Sequence, residues 1–205
     1  MSLAKVQNLL AHLYTDSKLR EDFFIDPSLI ARQFDLNEIE IEKATRLAQL
    51  QVDGFSHSLI QKRLNEVKKK LTLTSQVLGQ QFNHLFYQFA QNEQCKGIKK
   101  HLGDCYQFSK FIVSVAQREG IKSWVIDLLR YEIMRMKAMC SKFGFKFYFS
   151  RYGIKDLMIE MMKNTSSPVV ARRRVTVGLW VRSFKSKKLW HRLYTLSYSF
   201  IYLNR

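Results

Sequence analysis

The sequence predicts an α+β fold: a mainly antiparallel helical bundle over residues 1–140, then a small basic α/β domain over 141–205 built on an antiparallel β-hairpin. Three observations predict it. Apolar residues recur at helical spacing through the first 140 positions, and short connections between those stretches suit antiparallel neighbours. The period then switches to two, first at Phe145, Phe147 and Phe149 and again along 175–181. Charge changes at the same place. Residues 141–205 hold 14 Lys and Arg against 2 Asp and Glu, a net of +12, whereas the first 140 residues carry a net of +5.

Val6, Leu9, Leu10 and Leu13 lay one apolar stripe along a first helix. Asp26-Pro27 is a helix start, with Asp able to cap and Pro fitting the first helical position. Asn37 can cap a helix bearing Ile41, Ala44, Leu47 and Ala48. Phe55, Leu59, Leu64 and Val67 mark another, which ends near Lys68–Lys70, where cations meet the negative end of the helix dipole. Thr74 or Ser75 is expected to cap one helix carrying Val77, Leu78, Phe82, Leu85, Phe86 and Phe89. Phe108, Phe111, Ile112 and Val115 define the next, and Ser123 opens the last, with Trp124, Leu128, Tyr131 and Met134. In the second part, Phe145–Phe149 alternate with Lys146, Tyr148 and Ser150 as a strand, and Tyr152 to Lys163 reads as a short helix. Asn164 to Pro168 is a loop. Val175, Val177, Leu179 and Val181 form one face of a strand, with Thr176, Trp180 and Arg182 on the other. Ser183 to Lys188 is a polar turn, and Leu189 to Leu203 a second long strand.

The chain has 205 residues, 46% of them apolar and 13% aromatic, which is too rich for intrinsic disorder. At this length roughly 70% of the unfolded surface can be buried, so no disulfide is needed to hold a core. Cys95, Cys105 and Cys140 are an odd number, and the opening residues show no secretory pattern; both point to a cytoplasmic setting with free thiols. The uncharged stretch Leu193 to Asn204 is far short of the roughly 20 apolar residues that span a bilayer. The formal charge of +17 makes anionic partners the expectation.

Catalytic and metal signatures are weak. Cys95, His101, Asp104 and Cys105 are all metal-ligand types, and His101 and Cys105 stand i, i+4 on a helix, but their spacing matches no common zinc or iron motif. A buried thiol and a surface histidine explain them as well. No nucleophile elbow, phosphate loop or dinucleotide fingerprint is present. His12, His57, His84, His101 and His191 are widely separated, and Glu21-Asp22 reads as an exposed turn. No catalytic residue, metal or cofactor is assigned.

The basic cluster is more informative. Arg172, Arg173 and Arg174 precede one strand, Lys185, Lys187 and Lys188 occupy the hairpin turn, Arg182 and Arg192 flank it, and Trp180 and Trp190 are interleaved. Guanidinium groups grip carboxylates or phosphates bidentately, and aromatic rings add stacking area. Such a surface suits an acidic peptide, nucleic acid or anionic lipid, or serves solubility alone. A neighbouring edge strand would offer backbone N–H and C=O groups to an extended peptide.

A family likeness rests on several segments. Leu13-Tyr-Thr-Asp-Ser-Lys-Leu-Arg20, Phe23-Phe24 and Asp26-Pro27 begin it. Ser58-Leu-Ile-Gln-Lys-Arg63, Glu66-Val67, Leu71-Thr-Leu-Thr74, Leu78-Gly79, Phe82, Leu85-Phe86 and Phe89-Ala90 continue it. His101-x-x-Asp104 and Trp124-x-x-Asp127-Leu-Leu-Arg-Tyr-Glu132 complete it, with a weaker echo in Thr176-Val-Gly-Leu-Trp180. Across most of residues 10–135 this pattern resembles a bacterial "DNA-binding domain" family and its relatives among the partner proteins of multinuclear iron oxygenases. Those partners act in maturation of ribosomally made peptides, including the methanobactin pathway. One departure is Thr72, where relatives often carry Pro. The resemblance implies a helical N-terminal domain and a small C-terminal α/β domain. It also implies a non-catalytic partner that holds a precursor peptide for a metal-dependent oxygenase. The basic C-terminal residues named above are the expected peptide- or anion-binding set. The alternative expectation is a DNA-binding transcriptional regulator.

Overall fold

A computed structural model describes residues 3–47, 49–92, 100–141, 144–162, 173–182 and 189–196. The α+β class holds: the chain is mostly helical and carries a three-stranded antiparallel sheet towards its C-terminus. It divides into two compact units. One comprises Met1–Glu66 and Phe86–Ile98, the other Val67–Leu85 and Lys99–Arg205, so position 140 lies inside the second unit.

In the first unit, α1 (Leu3–Thr15), α2 (Ser17–Ile25), α3 (Pro27–Gln33) and α4 (Glu38–Thr45) follow in quick succession, then the body of α5 (Gln49–Lys70). Three short polar residues set the breaks. Asp16 accepts from the Leu19 N–H, Asp26 accepts from the Leu29 N–H ahead of Pro27, and Asn37 forms a reciprocal capping box with Glu40. The Asp16 break was not foreseen, and Glu21 and Asp22 lie exposed on α2 rather than on a turn. Helix α4 stops at Thr45, short of Leu47 and Ala48; Ala48 lies outside the described residues. Leu9, Leu13, Phe23, Ile30, Ala31, Ile41 and Val52 form the core of this unit. Phe55, expected on the buried stripe of α5, is 48% exposed and packs its ring against Tyr14 instead.

The single helix expected over 74–89 is two: α6 (Thr72–Leu78) and α7 (Gln80–Asn92). Gly79 separates them at φ 52°, a left-handed conformation that L side chains avoid. Thr74 is therefore an interior residue of α6, and the preceding Leu71 supplies no side-chain cap. Glu132 of α9 (Ser123–Cys140) does that work from 58 residues away. Its carboxylate accepts from the Leu73 N–H (2.8 Å), the Thr74 N–H (2.9 Å) and the Thr74 hydroxyl (2.6 Å). Two donors that every helix start leaves unpaired are thereby satisfied.

The remaining elements of the second unit are α8 (Lys100–Val115), β1 (Gly144–Tyr152), α10 (Ile154–Met162), β2 (Arg173–Arg182) and β3 (Leu189–Leu196). The strand order is β1-β2-β3, antiparallel throughout. The sheet packs one face on α9: Tyr131, Leu128 and Trp124 meet Tyr148, Trp180, Ile154, Leu157 and Met161 in one apolar cluster. Asp127 fixes the register there. Its side chain accepts from the Ser150 hydroxyl (2.8 Å) and the Arg151 N–H (3.2 Å), and its carbonyl accepts from the Tyr148 hydroxyl (2.7 Å). Among the described residues, no helix is long and apolar enough to cross a membrane.

Candidate functional site

The sheet turns over the role expected for Trp180. The residue is 1% exposed, with its ring between Tyr131 and Tyr148 at centroid distances of 5.8 and 6.3 Å. It is a core residue and offers no stacking surface to a ligand. Gly178, two residues earlier on the same face, makes the room: a Cβ there would stand 2.9 Å from two Trp180 ring carbons. Because side chains alternate along a strand, burying Trp180 and Gly178 places Val177, Leu179 and Val181 on the opposite face of β2.

The other expected site residues divide three ways. Arg172, Lys185, Lys187 and Lys188 lie outside the described residues, as do Cys95 and the side chain of His101. Arg174 and Arg182 are engaged structurally. Arg174 pairs with Asp156 of α10 at 3.3 Å. Arg182 donates to the Met139 and Ser141 carbonyls, closing the C-terminal end of α9. Arg173, Trp190 and Arg192 are exposed, and the Arg192 guanidinium sits 5.5 Å from the centroid of the Trp190 ring.

Of the four ligand-type residues Cys95, His101, Asp104 and Cys105, the side chains of Asp104 and Cys105 are described, and both are buried on α8. Among the described residues, no three His, Cys, Asp or Glu side chains converge as a metal site would require. Cys105 is fully buried, and desolvation, reinforced by the neighbouring Asp104 charge, pushes its thiol up to about 12. A thiol held protonated in this way is a packing group, not a nucleophile. Burial likewise raises the Tyr148 phenol, which serves as a fixed hydrogen-bond donor.

Two features were missed at the sequence level. The first is the exposure of the phenylalanines: Phe145, Phe147 and Phe149 are 67%, 68% and 63% exposed. The alternation was visible, but nothing local says which face of a strand meets the core. The second is a cavity of about 540 Å³ alongside β1. Phe147, Tyr148 and Phe149 line it from the strand, Val113, Leu129, Ile133 and Met134 from α8 and α9. Its charged lining residues are Lys110, Arg130 and Lys137, with no carboxylate among them. Arg130 also pairs with Asp127 at 3.4 Å, and the Lys137 ammonium lies over the Tyr106 ring. Among the described residues, strand β1 is an edge of the sheet, paired on one side only. The combination of a sheet edge, an apolar recess and cations has the chemistry to hold an extended chain with acidic residues. The lining contains no nucleophile paired with a base.

No family model matches the chain, and neither a curated protein nor a solved structure matches it.

Proposed function

We propose that the protein is a non-catalytic partner that binds an extended, acidic precursor peptide and presents it to a separate metal-dependent oxygenase. The observation that carries the reading is the cation-lined apolar cavity beside the edge strand β1. An added strand would satisfy its backbone along β1, place alternate apolar side chains in the recess and meet Lys110 and Lys137 with its carboxylates. The oxygenase belongs to the proposal through the family resemblance of residues 10–135. Holding the peptide replaces a chance encounter with an oriented, effectively intramolecular one, so a partner raises the rate without a catalytic group of its own.

The relevant experiment is affinity purification of the tagged chain from its own host, with mass spectrometry of what is retained, repeated with Lys110→Glu/Lys137→Glu. A short peptide and an iron oxygenase should copurify with the wild type, and the double variant should lose the peptide. Turnover by the isolated protein, or peptide retention by the double variant, would overturn the proposal.

A further inference from the structure

The outward face of the sheet is a grid set by the register. Phe145, Val181 and Trp190 form one row, Phe147, Leu179 and Arg192 the next, and Phe149, Val177 and Tyr194 the third. Strand β1 thus presents a column of three rings, β3 two rings on either side of Arg192, and the middle strand an aliphatic floor. Phe145, Phe147, Phe149, Trp190 and Tyr194 all have exposed side chains. The three strands contain six Lys and Arg and no Asp or Glu. Two of those cations, Arg151 and Arg192, stand on the same odd or even positions as the exposed rings of their strands.

We infer that this face binds single-stranded nucleic acid, by stacking bases on the aromatic columns while arginines meet phosphates. The spacing fits: residues i and i+2 of a strand stand about 6.7 Å apart, twice the ~3.4 Å rise of a stacked nucleotide, so each ring has room for one base. Aromatic faces within a positive surface are how sequence-tolerant single-strand binding is built. The rivals fit less well. A bilayer would have to desolvate Arg192 in the middle of the face, whereas a phosphate would pair with it. A second copy would bring two chains of charge +17 together. A duplex keeps its base faces stacked inside, out of reach of rings on a sheet surface.

The two readings share Phe147 and Phe149, so the test uses Trp190, Arg192 and Tyr194, which lie away from the β1 cavity. Fluorescein-labelled dT12, rU12 and a 12-base-pair duplex are titrated with the full chain at 50 and 200 mM KCl, with anisotropy as the readout. Single strands should bind at least about tenfold tighter than the duplex, and Trp190→Ala/Tyr194→Ala should weaken single-strand binding by about tenfold or more. Arg192→Gln should lower the salt slope by about one. A comparison of dT12 with rU12 separates DNA from RNA as the source of the strand. Far-ultraviolet circular dichroism and the urea midpoint, neither of which depends on the deleted rings as chromophores, should stay close to wild type in both variants. Equal affinity for duplex and single strand, or full single-strand affinity in the Trp190→Ala/Tyr194→Ala variant, would overturn the inference. So would a face that instead binds phosphatidylserine vesicles or drives dimerisation, with either behaviour lost in that variant.

Discussion

Gly178→Ala asks which way up the sheet sits. The added methyl would stand 2.9 Å from Cζ3 and Cη2 of Trp180 and 3.0 Å from Cδ2 of Leu193, against an optimal carbon–carbon separation of about 3.5–4.0 Å. The ring has little room to retreat, because Tyr131 and Tyr148 flank it and His191 stacks on it at an interplanar angle of 13°. Overpacking of this kind costs about 1–3 kcal/mol. For a chain of this size each kcal/mol moves the melting temperature by about 2–4 °C, so a drop of about 2–12 °C is expected. Thermal melts followed by circular dichroism, with urea unfolding followed by tryptophan fluorescence, measure it. The matched control is Phe147→Ala, which removes a ring that is 68% exposed and should change stability by less than about 0.5 kcal/mol. A neutral Gly178→Ala together with a Phe147→Ala that costs 2 kcal/mol or more (roughly the loss of a buried aromatic) would mean that the phenylalanine face is the buried one. The candidate surfaces would then fall with it.

Three further outcomes concern Glu132, Arg182 and the free thiols. Desolvation outweighs the Thr74 and Leu73 hydrogen bonds and raises the Glu132 carboxyl above the ordinary Glu value. The folded chain therefore holds a proton there that the unfolded chain has released, and this group's contribution to stability falls as pH rises from the ordinary Glu value through the raised one. In urea titrations between pH 4 and 7, the margin of wild type over Glu132→Gln should be widest at the acid end, and a constant margin would refute the assignment. Arg182→Ala should cost about 1 kcal/mol in urea unfolding by freeing the Met139 and Ser141 carbonyls, while leaving binding to dT12 intact. Iodoacetamide at pH 8, followed by peptide mapping, should modify the exposed Cys140 and leave the buried Cys105 unreacted until the chain is unfolded.

Local chemistry made much of the fold readable. Asp26-Pro27 and Asn37 started helices because a short acceptor reaching its own next turn needs no distant partner. The strand periods over 145–149 and 175–181 were legible for the same reason, since alternation belongs to the backbone itself. Gly79 was harder, because a glycine breaks a helix only where φ turns positive. The α6 cap was unreadable, since its acceptor, Glu132, comes from a different helix.

The candidate site divides along the same line. The sequence by itself determined the α+β class, the basic C-terminal third and the presence of two-faced strands, all properties of composition and of neighbours a few residues apart. Only the tertiary structure decided that Trp180 goes in and the three phenylalanines stay out, that Arg174 and Arg182 are tied up, and that a cavity opens beside β1. Those outcomes depend on what α9 and α10 place against the sheet. Burial is a choice between two faces that both looked apolar, and only contacts distant in sequence break that tie.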